Sequence, residues 1–227
     1  MNGRNWDRLV LKGQYLERPT LIPLPNGLVL EGVSHRGEKR PGLLVLPPPP
    51  IEGSGMDHVV GAELAWAVSH QGHPTLRFNY RGVGGSQGTP SRSPLDWVED
   101  ATAALQLAVD NTEGKAPVIA AIGASDAVAL RIAELKSIAG LILINPSTAR
   151  PSDFEARQNL AWPLAVIVAE HDEGQDRGRW AAVLERHDGA FTVVPGATRS
   201  YQRNLPLVGK AAASLVKRAG GLQSQVP

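Results

Sequence analysis

The chain has 227 residues, an apolar fraction of 42%, and 23 Lys+Arg against 22 Asp+Glu, for a formal charge of +1. That balance argues against a nucleic-acid or membrane-surface partner, and the apolar fraction supports a full core. Cysteine is absent, which excludes disulfides, thiolate metal sites and cysteine nucleophiles, and fits a cytoplasmic protein.

Residues 1–15 read as a loosely tied N-terminal arm, with no apolar run suited to a signal peptide or to a membrane span of ~20 residues. Residues 16–219 read as a single domain and 220–227 as a frayed tail. Thr20 to Leu24 and Leu28 to Ser34 flank Pro25-Asn26-Gly27, and Asn-Gly is the strongest short hairpin signal. Gly42 to Leu46 is a short apolar run typical of a strand buried on both faces; it ends in Pro47-Pro48-Pro49-Pro50, which has no backbone donors. Asp57 is placed to N-cap a helix over Val59, Val60, Leu64 and Ala67, ended by Gly72.

Pro74 to Tyr80 is the next strand, followed by a glycine-rich loop, Arg81 to Gly88. Ser93-Pro94-Leu95-Asp96 opens a helix to about Asp110. Val118 to Ile122 is a strand, and Gly123-Ala124-Ser125-Asp126-Ala127 a sharp turn with Ser125 expected at its apex, leading straight into a helix. Ala139 to Asn145 is a strand, 146–162 a polar crossover with room for a short helix, and Leu164 to Ala169 another buried strand. Arg177 to His187 is a helix, Phe191 to Val194 the last strand, and Leu205 to Arg218 the last helix, expected to stop at Gly220-Gly221. Strand and helix alternate after the opening hairpin, which predicts an α/β class: a doubly wound, mostly parallel sheet without a large lid.

Alternative motifs fail on their own chemistry. Arg81 to Gly88 does not fit the dinucleotide fingerprint, since Gln87 stands where the last glycine belongs. His171, Asp172 and Asp176 lack a third convincing metal ligand. No cofactor and no metal are expected.

Gly55-Met56-Asp57-His58-Val59-Val60, the run Leu76-Arg77-Phe78-Asn79-Tyr80-Arg81-Gly82-Val83-Gly84-Gly85-Ser86-Gln87-Gly88, and the small-x-Ser-x-small turn at Ser125 resemble the α/β-hydrolase superfamily. They are similar in particular to its small, lidless bacterial members close to dienelactone hydrolases. The match is specific over about 42–135 and topological to about 218. It implies the α/β-hydrolase fold and a serine, acid and histidine in that chain order, the serine attacking a carbonyl and the histidine taking its proton.

The resemblance places the nucleophile at Ser125 and the acid at Asp172. The oxyanion donors would be the N–H of Asp126 and one from the loop at Ile51, since the four prolines before it cannot donate. Where the family carries its histidine this chain has Arg199, in Pro195-Gly196-Ala197-Thr198-Arg199, and a guanidinium cannot accept the serine proton. His58 is the best substitute base. Asp126 adds an anion beside the expected oxyanion: two unit charges ~5 Å apart repel by roughly 3 kcal/mol at an effective dielectric of ~20, comparable with one oxyanion donor at ~3–4 kcal/mol. Arg199 has two candidate partners, Asp172 and Asp126.

Two functions are therefore expected: a serine ester or acyl hydrolase with a degenerate triad, weakly active or inactive, or a non-catalytic relative binding a small molecule or a protein through the same cleft. The partner in the first case is a small-molecule ester or carboxylate. The oligomeric state is left open.

Overall fold

The computed structural model describes residues 16–157 and 159–223. The expected arm, 1–15, lies outside them, as do the last four residues of the chain.

The hairpin is β1 (Arg18–Pro23) and β2 (Val29–His35), antiparallel with Pro23 opposite Val29. Gly27 makes the turn at φ 86°. The other strands are β3 (Leu43–Leu46), β4 (Thr75–Phe78), β5 (Val118–Ile122), β6 (Gly140–Ile144), β7 (Leu164–Ala169) and β8 (Ala190–Val194). They form one sheet in the order β1-β2-β4-β3-β5-β6-β7-β8. β2 runs antiparallel to β4, and all pairs from β4 onward are parallel. The doubly wound, mostly parallel sheet expected from the alternation is present.

The helices are α1 (Val59–His70), α2 (Pro94–Asp110), α3 (Ser125–Leu135), the short α4 (Ser152–Glu155), α5 (Arg177–Arg186) and α6 (Leu205–Gln223). Every residue of β3, β5, β6 and β7 is buried because helices cover both faces. The period of two divides these strands cleanly. Val118, Ala120 and Ile122 pack with Val60, Leu64 and Val68 of α1 and Val208, Ala212 and Val216 of α6. Ile119 and Ala121 face the other way, with Trp97 and Ala101 of α2, Val128 and Ile132 of α3 and Trp180 of α5. Among the described residues no helix is long and apolar enough to cross a membrane.

Two local expectations are corrected. α1 is capped by His58, whose Nδ1 accepts from Val60 N at 3.3 Å; Asp57 lies instead 3.3 Å from Arg77 Nη1. Gly220-Gly221 does not stop α6, which continues to Gln223. Gly220 serves close packing: a Cβ there would lie 2.6 Å from the Arg40 carbonyl oxygen.

The order of strands positions the site. From β3 the chain passes through α1 to β4 on one side, and β5 then pairs on the other side of β3. The connections leave the C-terminal ends of β3 and β5 in opposite directions, which opens a crevice there.

Candidate functional site

The crevice is built from the loop after β3 and the turn after β5. The turn bends at Gly123, which has φ 60°, while Ala124 is already in the right-handed helical region at φ −71° and ψ −3°, and Ser125 is the first residue of α3. Gly123 N donates to Ile144 O at 3.0 Å, and Asp126 N donates back to Gly123 O at 3.2 Å. The residue at the apex is thus Gly123, two positions before Ser125. A left-handed φ costs an ordinary residue ~1–2 kcal/mol and glycine almost nothing, so the glycine takes the bend.

Ser125 is fully buried at 0% exposure. Its Oγ donates to Pro47 O at 2.5 Å and lies 3.0 Å from Tyr80 Oη. A serine has one hydroxyl proton, already committed to Pro47, so the phenol is the donor in the second contact. Burial pushes the Tyr80 phenol well above its usual range, which keeps it a donor. Ser125 thus ties α3 to the ends of β3 and β4 rather than facing the crevice, contrary to the expected apex serine. Among the described residues no histidine hydrogen-bonds to it.

The Glu52 carboxylate occupies the space above the turn. Pro50–Glu52 form one 3-10 turn, with Glu52 N donating to Pro49 O at 2.9 Å. Glu52 Oε1 accepts from Ala124 N at 3.1 Å, and a Cβ added to Gly123 would lie 2.8 Å from Oε2. Ala124 N is the first amide beyond the apex, where partial positive charge gathers at a helix start. The Ile51 side chain is 56% exposed, and it is Glu52 next to it that reaches the turn.

Asp126 is also fully buried and faces elsewhere. Its Oδ2 accepts from Thr148 N at 2.7 Å and Ala149 N at 2.9 Å, while Oδ1 takes Ala127 N at 2.6 Å and a short bond from Thr148 Oγ1. Four donors hold this carboxylate against the loop between β6 and α4. The expected repulsion of an oxyanion is replaced by a structural clamp, and the Asp126–Arg199 pairing does not form.

Arg199 pairs with Asp172. Nη1 lies 3.7 Å from Asp172 Oδ1, and Nη2 donates to Ser147 Oγ at 3.0 Å. The Asp172 side chain is 4% exposed and the Arg199 side chain 53%. Asp172 accepts two further long bonds, from Gly174 N at 3.3 Å and Gln175 Nε2 at 3.4 Å. Asn145, at φ 43° beyond the end of β6, holds the Arg199 loop in place: Nδ2 donates to Arg199 O at 3.2 Å, and Oδ1 accepts from Tyr201 Oη at 2.8 Å and Ala169 N at 3.0 Å. The structure therefore joins Arg199 to Asp172, while Ser125 is held by Pro47 and Tyr80. His58 spends its Nδ1 on the α1 cap, and burial lowers its pKa.

Gly123, Glu52, Tyr80 and Asn145 are site residues that the sequence reading missed. For Gly123 a signal existed: Ala121-Ile122-Gly123-Ala124-Ser125 is also small-x-apex-x-small, and a glycine suits the left-handed bend. No comparable signal marks Glu52 or Tyr80.

Comparison of the coordinates with solved structures decides the family of folds. An α-β serine hydrolase homologue from Coxiella burnetii superposes with a TM-score of 0.71 and 24% identity over 87% of this chain and 96% of its own. A lidless α/β serine hydrolase from Xanthomonas campestris gives 0.71 and 25% over 89% and 94%. The chain is an α/β-hydrolase-fold protein. Est1E from Butyrivibrio proteoclasticus, solved with ferulic acid, gives 0.71 at 15% identity, covering 88% of this chain and 98% of its own. No protein-family model matches the sequence. Two curated uncharacterized proteins of Mycobacterium tuberculosis, from strains CDC 1551 / Oshkosh and H37Rv, are each 35% identical over 163 residues, which is 70% of this chain. The chain spans 55% of the length of these relatives.

Proposed function

We propose that this α/β-hydrolase-fold protein is non-catalytic and uses the crevice beyond β3 and β5 to bind a small molecule. The observation that carries the reading is the turn at Gly123. Its apex has no side chain, and the Glu52 carboxylate lies over it on the Ala124 amide. A nucleophile projecting from that apex is missing, and the hydroxyl two residues on is buried against Pro47 and Tyr80. The arginine at the expected base position cannot accept a proton and is spent on Asp172 and Ser147.

The ligand reading is supported by a recess of ≈ 730 Å³ between the loops that follow β3 and β4, whose lining includes Pro50, Gly55, His58, Asn79, Gly84 and Ser200. That volume lies within the ~300–1,000 Å³ range of small-molecule sites. A neutral ester suits its wall better than a carboxylate, since Asp57 lines the recess and no described Lys or Arg does.

The test is direct. The full chain and its Ser125→Ala variant are treated with a fluorophosphonate probe and assayed with p-nitrophenyl acetate and butyrate. Neither protein is expected to be labelled or to exceed background hydrolysis. Labelling or turnover that disappears in Ser125→Ala overturns the proposal. In parallel, a thermal-shift series of short-chain carboxylates and their methyl esters is expected to raise Tm, the esters more, with the shift reduced when Ser200→Trp fills part of the recess.

A further inference from the structure

A second recess lies at the other end of the sheet. Its volume is ≈ 750 Å³, and it sits where β3 and β4 begin, at Leu43 and Thr75, between the hairpin and the C-terminal end of α2. The Gly123 turn, by contrast, follows the C-terminal end of β5. We propose that this second recess binds a small organic anion with an apolar body.

Charge is the first argument. Arg18, Arg36 and Lys39 line the recess, against Glu38 as the one acidic lining residue among those described. Three cations against one anion leave +2 here, in a chain whose 23 basic and 22 acidic residues nearly cancel. Among the described residues none of the three cations forms an ion pair. Cations without a counter-ion beside an apolar wall favour a ligand that brings a carboxylate or phosphate oxygen to them.

Shape and polarity supply the second argument. Leu76, Leu107 and Ala108 give the recess an apolar wall beside the buried Thr75 and Thr112, while the exposed Arg36 and Lys39 stand on the rim. A ligand with one anionic head and an apolar body meets both surfaces. The head would face Arg18, Arg36 and Lys39. His35 also lines the recess, but its Nδ1 is bound to Thr75 Oγ1 at 2.8 Å and burial lowers its pKa, so it adds no charge near neutral pH.

The experiment uses the full chain and 1-anilinonaphthalene-8-sulfonate, an aromatic sulfonate whose fluorescence rises on transfer to an apolar site. Saturable binding at one equivalent is expected, displaced by decanoate and by decyl phosphate and weakened by added salt. The order of those two competitors identifies a carboxylate or a phosphate head. Arg36→Glu combined with Lys39→Glu alters only exposed side chains and is expected to weaken binding about tenfold or more. Arg18→Gln is expected to act in the same direction. Three results overturn the proposal: no saturable binding by the folded chain, equal affinity in the charge-reversed variant, or displacement by neutral decanol as effective as that by decanoate.

Discussion

Glu52 Oε2 lies over the Cα of Gly123, so close that a Cβ there would stand 2.8 Å from it. The same carboxylate accepts from Ala124 N at 3.1 Å. A side chain at the apex of the turn and the Glu52 contact therefore exclude one another, and the present chain has the contact.

This exclusion predicts a coupled pair of variants. Gly123→Ala forces a left-handed φ on an ordinary residue and is expected to cost about 1–2 kcal/mol. It also pushes the flexible end of Glu52 off the Ala124 amide. Once Glu52→Ala has removed that contact, the second part of the cost is gone. Denaturant midpoints for the two single variants and the double variant are expected to show a coupling of about 0.5 kcal/mol or more. Strict additivity would mean that the two residues do not meet in solution.

Ser125→Ala is expected to act on stability and not on chemistry. It removes the hydroxyl that donates to Pro47 O and accepts from Tyr80, leaving a buried carbonyl and a buried phenol without their partner. The expected loss is about 1–3 kcal/mol, read from a urea midpoint at unchanged m-value. A variant as stable as the parent would place this hydroxyl in solvent.

Asp126→Ala should be the most damaging single change near the turn. It strands Ala127 N, Thr148 N, Ala149 N and the Thr148 hydroxyl, all now gathered on one buried carboxylate. With several buried donors left unsatisfied at ~1–3 kcal/mol each and partial relaxation, a loss of about 3–5 kcal/mol is expected. Hydrogen exchange should show faster opening of the 146–150 loop and the first turn of α3. If exchange rose only on the Arg199 side of the crevice, the Asp126–Thr148 clamp would be the wrong description.

Stability should fall on the acid side of neutrality. His35 and His73 are held below their ordinary pKa of 6.5, chiefly by burial; for His35 Glu17 opposes the shift and Arg77 adds to it, and for His73 the bond to the Pro41 carbonyl opposes it. Their folded-state pKa lies below the unfolded value, so the unfolded chain takes up protons first as pH drops. The stabilisation is complete above about pH 7 and is lost as pH falls through 6.5 toward the folded-state values, by up to about 1.4 kcal/mol per pH unit for each group. Urea midpoints between pH 8 and pH 5 measure this, and His73→Gln should flatten the curve. A curve that rises toward pH 5 would reverse the sign of the argument.

The architecture was legible in the sequence because burial on both faces leaves a local trace. Leu43 to Leu46, Val118 to Ile122 and Leu164 to Ala169 are unbroken apolar runs, and such runs separated by amphipathic segments admit little besides a covered parallel sheet. Asn26-Gly27 marked the hairpin for an equally local reason. The position of Arg199 beyond the last strand could be read too.

Which residue stands at the apex of the turn was not legible. Gly123-Ala124-Ser125 satisfies a small-residue pattern in two registers, one with the serine and one with the glycine at the bend, and composition does not separate them. The tertiary structure does: β5 ends at Ile122, so the left-handed bend falls on Gly123 and Ser125 is carried into the buried side of α3. Glu52 reaches Gly123 across 71 positions of sequence only because β3 and β5 are neighbours in the sheet. By itself the sequence determined the layers and the strand connections, since those follow from local periodicity and residue type. The fate of the serine and the carboxylate over the glycine were decided by packing between distant segments, where a shift of two residues exchanges a side chain in the crevice for one in the core.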